Sequence, residues 1–214
     1  PLSAEQNVSV LKNLAYLMST LKLLDFAEDK SAGYIREPLA LIDRDSIEPK
    51  PYLDKVRRAS GMLIPRLEGH YGFAHKTFQE YLTALYIKDN PDQHVVIERN
   101  LQDGWWRETV LMYVGMTTAT YTSKVLDALL ALDSIESLVL ALDCEDVAQE
   151  VKPETRILVQ TMLRDGVEDH DPRIHRRARE VVLRRHLNQM TPIDENTQRA
   201  TRLVPQAAYQ LFLD

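Results

Sequence analysis

Four basic side chains have the chemistry to contact phosphate groups. Lys55, Arg57 and Arg58 lie in one helix-like segment, and Arg66 lies just beyond it in a stretch with hairpin character. Such side chains donate hydrogen bonds to phosphate oxygens in nucleic-acid complexes. However, Asp54 interrupts the segment and the chain carries a formal net charge of −6, which does not attract polyanions. A solvated or partner-contacting face is therefore favoured, and DNA binding by this segment is the less favoured alternative.

The histidines and the cysteine do not form a recognisable metal or catalytic site. His170 and His175 are five residues apart, flanked by Asp169 and Asp171, whereas a zinc-binding helix spaces two histidines four apart. The only cysteine, Cys144, lies among carboxylates that disfavour a thiolate. We therefore predict no catalytic residue and no metal ligand. A single cysteine also excludes an internal disulfide and favours a reducing compartment such as the cytoplasm.

Composition indicates a globular protein of ordinary type. The chain has 214 residues, of which 44% are hydrophobic and 27% charged, enough for one large or two modest domains. No run approaches the roughly 18 apolar residues of a membrane span. Because the chain begins at Pro1 without an initiator Met or a signal peptide, we expect a piece of a longer protein.

The order of predicted elements over residues 1–90 is that of a winged-helix domain. Ser3 and Gln6 have the capping-box spacing that begins a first helix. We then expect a short strand at Tyr34-Ile35 and a brief helix that begins at Pro38. A polar loop over 43–51 and a helix over 51–59 follow, with Leu53, Val56 and Ala59 inward. In a DNA-binding winged helix, that last segment would be the recognition helix.

A hairpin and a helix complete this unit. Gly61 can end the preceding helix because glycine tolerates positive φ. Two short apolar runs surround Glu68-Gly69-His70, which predicts a β-hairpin. The period then changes to that of a helix, which ends at Asn90-Pro91.

Residues 91–214 have a different character. Apolar residues at helical spacing predict several short helices joined by polar turns, which suggests stacked helix pairs. The Asp171-Pro172 start of one such segment resembles HEAT-type repeats. We therefore predict a mainly α protein: a winged-helix domain with a small β-hairpin wing, then a HEAT-like helical array that becomes irregular after about residue 190. Between Arg164 and His186, seven arginines are interspersed with five acidic residues, a pattern that favours pairing along exposed faces over a docking site.

The stretch from Phe73 to Ala84, FAHKTFQEYLTA, closely resembles the F-x-H-x-[ST]-F-Q-E-[FY]-L-x-A signature in the winged-helix domain of NACHT-type STAND NTPases. That group includes the NOD-like receptors and their bacterial relatives. The run Trp106-Arg107-Glu108 is similar to the start of the helical region that often follows. Within the signature, helical spacing predicts that four apolar residues are core, whereas Gln79 and Glu80 are equally suited to pairing with the hairpin or facing water. The four are Phe73, Phe78, Tyr81 and Leu82.

The resemblance implies a role for His75. In the family, the histidine at this position reaches the β-phosphate of ADP bound on the ATPase core and holds the resting form closed. From its type and position alone, His75 is more readily interpreted as a helix cap or a surface residue, and the whole signature around it reverses that preference. No phosphate loop of the form G-x-x-x-x-G-K-[ST] occurs in the chain, so we expect no ATP hydrolysis here and no cofactor beyond the ADP or ATP with Mg²⁺ of an intact protein.

The favoured hypothesis is thus the C-terminal regulatory part of a NACHT-type signalling ATPase. By resemblance, its partners are its own upstream NACHT domain and an unknown activating ligand, with homo-oligomerisation on activation and a frequent family role in innate or antiviral defence. The rival hypothesis is a helical-repeat scaffold whose winged helix makes only protein contacts.

Overall fold

The computed structural model describes most of the chain, namely residues 2–42, 47–67, 69–132, 134–168, 175–176, 178–180, 182–183, 190–194 and 197–200. Packing divides the chain into two compact units, Pro1–Tyr121 with Val147–Gln149 and Thr122–Asp146 with Glu150–Asp214. These units do not test the domain boundary that the sequence predicts near residue 90, between the winged helix and the helical region. That boundary stays a prediction.

The first unit contains the predicted winged helix. Its elements are α1 (Ala4–Thr20), β1 (Phe26–Ala27), α2 (Glu28–Ile42), α3 (Pro49–Ser60), β2 (Leu63–Pro65), β3 (His70–Phe73) and α4 (Lys76–Asp89). The three strands form an antiparallel sheet in the order β1-β3-β2. Leu63 pairs with Phe73 and Phe26 with Tyr71, so β3 is the central strand. The mainly α fold with a small hairpin wing is confirmed.

Helix α1 begins as its sequence predicts. The Ser3 backbone N–H donates to Gln6 Oε1 at 2.8 Å, and the Gln6 N–H donates to Ser3 Oγ at 3.2 Å, which is a complete capping box. The buried face of α1 joins a core with residues of α2, α3 and the sheet. The members of α1 in that core are Val10, Leu11, Leu14, Ala15 and Met18.

The strand and the loop that the sequence predicts after α1 differ from the structure, where helix α2 is found. Tyr34-Ile35 lies inside α2 rather than in a strand, and the first strand is instead Phe26–Ala27. The physical reason is the i,i+4 spacing of Ile35 and Leu39, which places both side chains on one helical face, where both are buried. The loop expected over 43–51 is shorter, because α3 begins at Pro49, where proline suits the first turn. Leu53 and Val56 are buried as predicted.

Two glycines fix the wing. Gly61 ends α3 in the left-handed conformation with φ of 62°, which glycine adopts without steric cost. Gly72 lies in β3, where a Cβ atom would stand 2.4 Å from the Leu24 carbonyl oxygen. No larger residue fits there unless the backbone moves.

Helix α4 packs against α1 and α6 (Arg107–Met116). The face of α4 that is buried differs from the one that the sequence predicts. Phe73 and Leu82 are buried, as predicted. The prediction that Phe78 and Tyr81 belong to the core is wrong, because these residues are 41% and 47% exposed. Gln79, Glu80 and other residues of α4 turn inward instead.

Beyond α4, a 3₁₀ turn (Pro91–Gln93), α5 (His94–Arg99) and α6 complete the helices of the first unit. The second unit holds α9 (Pro153–Val167) and most of α7 (Ala119–Leu130) and α8 (Ile135–Val147). Within it, Ser123 lies inside α7 and accepts a hydrogen bond from the Lys152 N–H at 3.2 Å. Thr155 Oγ1 donates to Asp127 at 3.2 Å.

The end of the second unit differs from the expected helical array. Met190–Asp194 (β4) and Thr197–Ala200 (β5) pair as an antiparallel hairpin. The helix expected from Asp171 begins outside the described residues, and the helix expected over 205–213 lies outside them. The HEAT-like regularity of the array stays a prediction. In the part of the chain that the structure describes, no helix has the length and apolar character that crossing a membrane requires.

Candidate functional site

His75 stands where the central strand gives way to α4. It is the N-cap residue of that helix, with φ of −129° and ψ of 143°, and its side chain is exposed. The imidazole makes no capping hydrogen bond to the first turn of α4, so the side chain does not serve as a helix cap. Its ring packs edge-on against Phe78, with 5.8 Å between the centroids. The ring therefore lies outside the core.

Three aromatic side chains lie three residues apart at the start of α4. His75, Phe78 and Tyr81 are all exposed, and residues three apart are neighbours on a helix surface. We call these three residues the exposed α4 face. Single exposed apolar side chains are ordinary, but two large aromatics beside a histidine form a contiguous surface suited to burial against a partner.

Gln79 fixes the opposite face of α4 against α1. Its side chain is only 1% exposed, and Nε2 donates to Ser19 Oγ at 3.2 Å and to the Leu23 carbonyl at 3.1 Å. Thr83 Oγ1 lies 2.9 Å from Ser19 Oγ and donates to the Gln79 carbonyl at 2.7 Å. Buried polar groups are stable only when hydrogen-bonded, and these are. The network sets the rotation of α4 and keeps Phe78 and Tyr81 outward.

Glu80 is buried with a cationic partner. The carboxylate accepts a hydrogen bond from Lys76 Nζ at 2.6 Å, one turn earlier, although Glu80 is only 5% exposed. Lys76 Nζ also lies 4.4 Å from the centroid of the Trp105 ring. Sequence reasoning missed both Lys76 and Trp105. Their signal was the position of Lys76 directly after His75 and of Trp105 directly before the Trp106-Arg107-Glu108 run.

The basic residues of the proposed recognition helix do not form a uniform phosphate-binding surface. Arg57 pairs with Asp54 at 3.0 Å and lies over the Tyr71 ring, 5.3 Å from its centroid. Arg66 donates to the carbonyl oxygens of Phe73 and Ala74. The remaining two, Lys55 and Arg58, are exposed. Arg57 and Arg66 therefore have intramolecular partners that a phosphate would have to displace.

The remaining candidate residues are the cysteine and the histidine-rich segment. Cys144 is buried in α8. Across the described ranges, no group of three or more histidine, cysteine or acidic side chains is arranged to hold a metal ion. His170 with its flanking Asp169 and Asp171 lies outside those ranges.

These helices and the wing define a winged helix-turn-helix domain. Residues 41–87 match the family model of the winged helix-turn-helix domain C-terminal to NACHT, a range that takes in α3, the wing and nearly all of α4. This match supports the interpretation of the chain as the C-terminal part of a NACHT protein, and residues 41–87 belong to a NACHT-associated regulatory region. No curated protein matches the chain, and no solved structure does.

Proposed function

We propose that this chain holds a NACHT ATPase core in its ADP-bound resting state, and that His75 is the residue that senses the nucleotide. The observation that carries the proposal is the exposed imidazole at the strand-to-helix junction of a domain that follows NACHT. An upstream NACHT domain is the partner, and ADP or ATP with Mg²⁺ binds there rather than on this chain.

The chemistry of the contact explains a switch. A hydrogen bond from an imidazole N–H to a phosphate oxygen is charge-assisted, and it ties the two domains together while that phosphate is in place. Exchange of the nucleotide changes this contact, which favours a second domain arrangement by differential binding. The exposed α4 face adds apolar surface that a resting-state interface would bury.

The helical region after α4 supplies the second half of the proposed function. It senses an activating ligand and, once released from the core, the protein oligomerises in the cytoplasm. The support for these roles is the family resemblance, together with a helical region that continues directly from the winged helix.

The test compares ADP retention in the NACHT-bearing protein with and without His75→Ala. A hydrogen bond to a charged group contributes about 1.5–3 kcal/mol, so loss of it should speed ADP release by about 10- to 150-fold. Signalling in the absence of ligand should rise in parallel. The matched control is His70→Ala on the wing, where the imidazole instead pairs with Asp25 at 2.8 Å.

A protein with His75→Ala that retains ADP and rests like the wild type would contradict the proposal. That result would favour the alternative function, a helical scaffold whose winged helix only makes protein contacts.

A further inference from the structure

Trp105 connects three parts of the first unit. It lies two residues before α6, and its indole Nε1–H donates to the Ser19 carbonyl in the last turn of α1 at 3.1 Å. Its ring receives the Lys76 ammonium at 4.4 Å, and Lys76 Nζ also donates to the Trp105 carbonyl at 3.4 Å. Its own backbone N–H donates to Asp103 at 3.0 Å. The backbone, the indole N–H and the ring face of Trp105 thus each have a partner just ahead of α6.

Lys76 is the first residue of α4 and follows His75 directly. Its ammonium lies between the Trp105 ring and the Glu80 carboxylate, which is buried and accepts its hydrogen bond. Because no side chain caps α4 at His75, its first turn lacks the restraint that normally opposes fraying at a helix start. The contacts of Lys76 supply that restraint instead.

We propose that Trp105 and Lys76 are positioning residues for His75. Because Lys76 is joined to His75 by a peptide bond, a displacement of the segment leading into α6 would shift Lys76 and, with it, the nucleotide-sensing histidine. The inference rests on the proposed function for its consequence, but the positioning itself is a property of this chain. A cation held against an indole face is attracted by the ring quadrupole, and a displacement of that ring removes the attraction. Lys76 would then keep only its hydrogen bonds to the Glu80 carboxylate and the Trp105 carbonyl, and the start of α4 would loosen.

The first arm of the test uses this chain without nucleotide. The imidazole Cε1–Hε1 resonance of His75 and the ring resonances of Phe78 are followed by NMR in Lys76→Met and Trp105→Leu. The matched control is Lys88→Met, since Lys88 lies at the other end of α4 with 41% side-chain exposure against 38% for Lys76. Lys76→Arg and Trp105→Phe, which keep a cation and an aromatic ring, serve as conservative variants.

We expect both signals to shift in Lys76→Met and Trp105→Leu by clearly more than in Lys88→Met, and to return toward wild type in the conservative variants. Should Trp105→Leu fail to fold, Lys76→Met decides, because Lys76 is partly exposed outside the core. Unchanged His75 and Phe78 resonances in Lys76→Met would overturn the proposal.

The second arm measures ADP release in the NACHT-bearing protein. Lys76→Met and Trp105→Leu should speed release by a smaller factor than His75→Ala, and neither should add to the effect of His75→Ala. If His75→Ala itself has no effect while the resonances still shift, the proposed function fails and the positioning stands. If His75→Ala speeds release while Lys76→Met does not, the positioning has no functional consequence and this inference fails.

Discussion

Two phenylalanines five residues apart should respond very differently to the same truncation. Phe73 is 1% exposed and belongs to the core shared by the sheet and helices, whereas Phe78 is 41% exposed on α4. Phe73→Ala removes the transfer free energy of a buried ring and leaves a cavity, which together cost about 3–5 kcal/mol. Phe78 is only partly covered, and water can fill the space that its truncation leaves behind. Its truncation should therefore cost only about 1 kcal/mol.

The assay is urea denaturation of the isolated chain, followed by circular dichroism, with wild type and both variants at one pH and temperature. The unfolding midpoint should fall markedly for Phe73→Ala and slightly for Phe78→Ala, with an unchanged denaturant dependence. In the NACHT-bearing protein, Phe78→Ala should nevertheless weaken the resting state, because the proposed interface with the NACHT domain would bury this ring. Equal destabilisation of the isolated chain by the two variants would refute the assignment of Phe78 to a surface.

Two further predictions concern the wing and the segment before α6. Gly72→Ala should destabilise the chain by about 1–3 kcal/mol, because the new Cβ atom would clash with the Leu24 carbonyl. Gly33→Ala should instead stabilise α2 by up to about 1 kcal/mol, since no described atom lies within 4 Å of its Cβ position. Thermal unfolding of both variants checks this. The hydrogen bond from Lys22 lowers the pKa of the Asp103 carboxyl below its ordinary value, so its stabilising contribution should be complete above that ordinary value and lost as pH falls through the lowered one. Asp103→Asn should accordingly lose less stability than wild type between neutral and strongly acidic pH in a denaturation series, and an identical pH dependence would contradict this.

The winged-helix order could be predicted because its signals are local. A glycine turn between apolar runs, a capping box and a change of period each act within a few residues, and all three correspond to observed elements. The first part of helix α2 was missed because Gly33 and its charged neighbours resemble a turn, whereas its last residues were expected as a brief helix from Pro38. Only the packing of Ile35 and Leu39 into the core decides in favour of a helix there.

The orientation of α4 could not be predicted for a different reason. Its aromatic residues have the spacing of a buried stripe, whereas polar residues such as Gln79 and Glu80 are ordinarily exposed. Gln79 is nonetheless buried because Ser19 and Leu23, about sixty and fifty-six positions earlier in the chain, satisfy its amide. Such partners are invisible to periodicity, so the inward turn of the polar residues and the outward turn of Phe78 emerge only from the tertiary structure.

The same limit applies to Trp105. Its sequence neighbourhood indicates the start of a helical region but gives no hint that its ring meets Lys76 or that its indole reaches Ser19. Contacts of this kind depend on how α1, α4 and the segment before α6 converge, which no local pattern encodes.

The most direct measurement is the structure of the NACHT-bearing protein in its ADP-bound resting state. The account predicts that an imidazole nitrogen of His75 lies within about 2.7–3.2 Å of a β-phosphate oxygen, with Phe78 and Tyr81 covered by the NACHT domain. An ADP-bound resting protein in which His75 faces solvent and the exposed α4 face stays uncovered would contradict it.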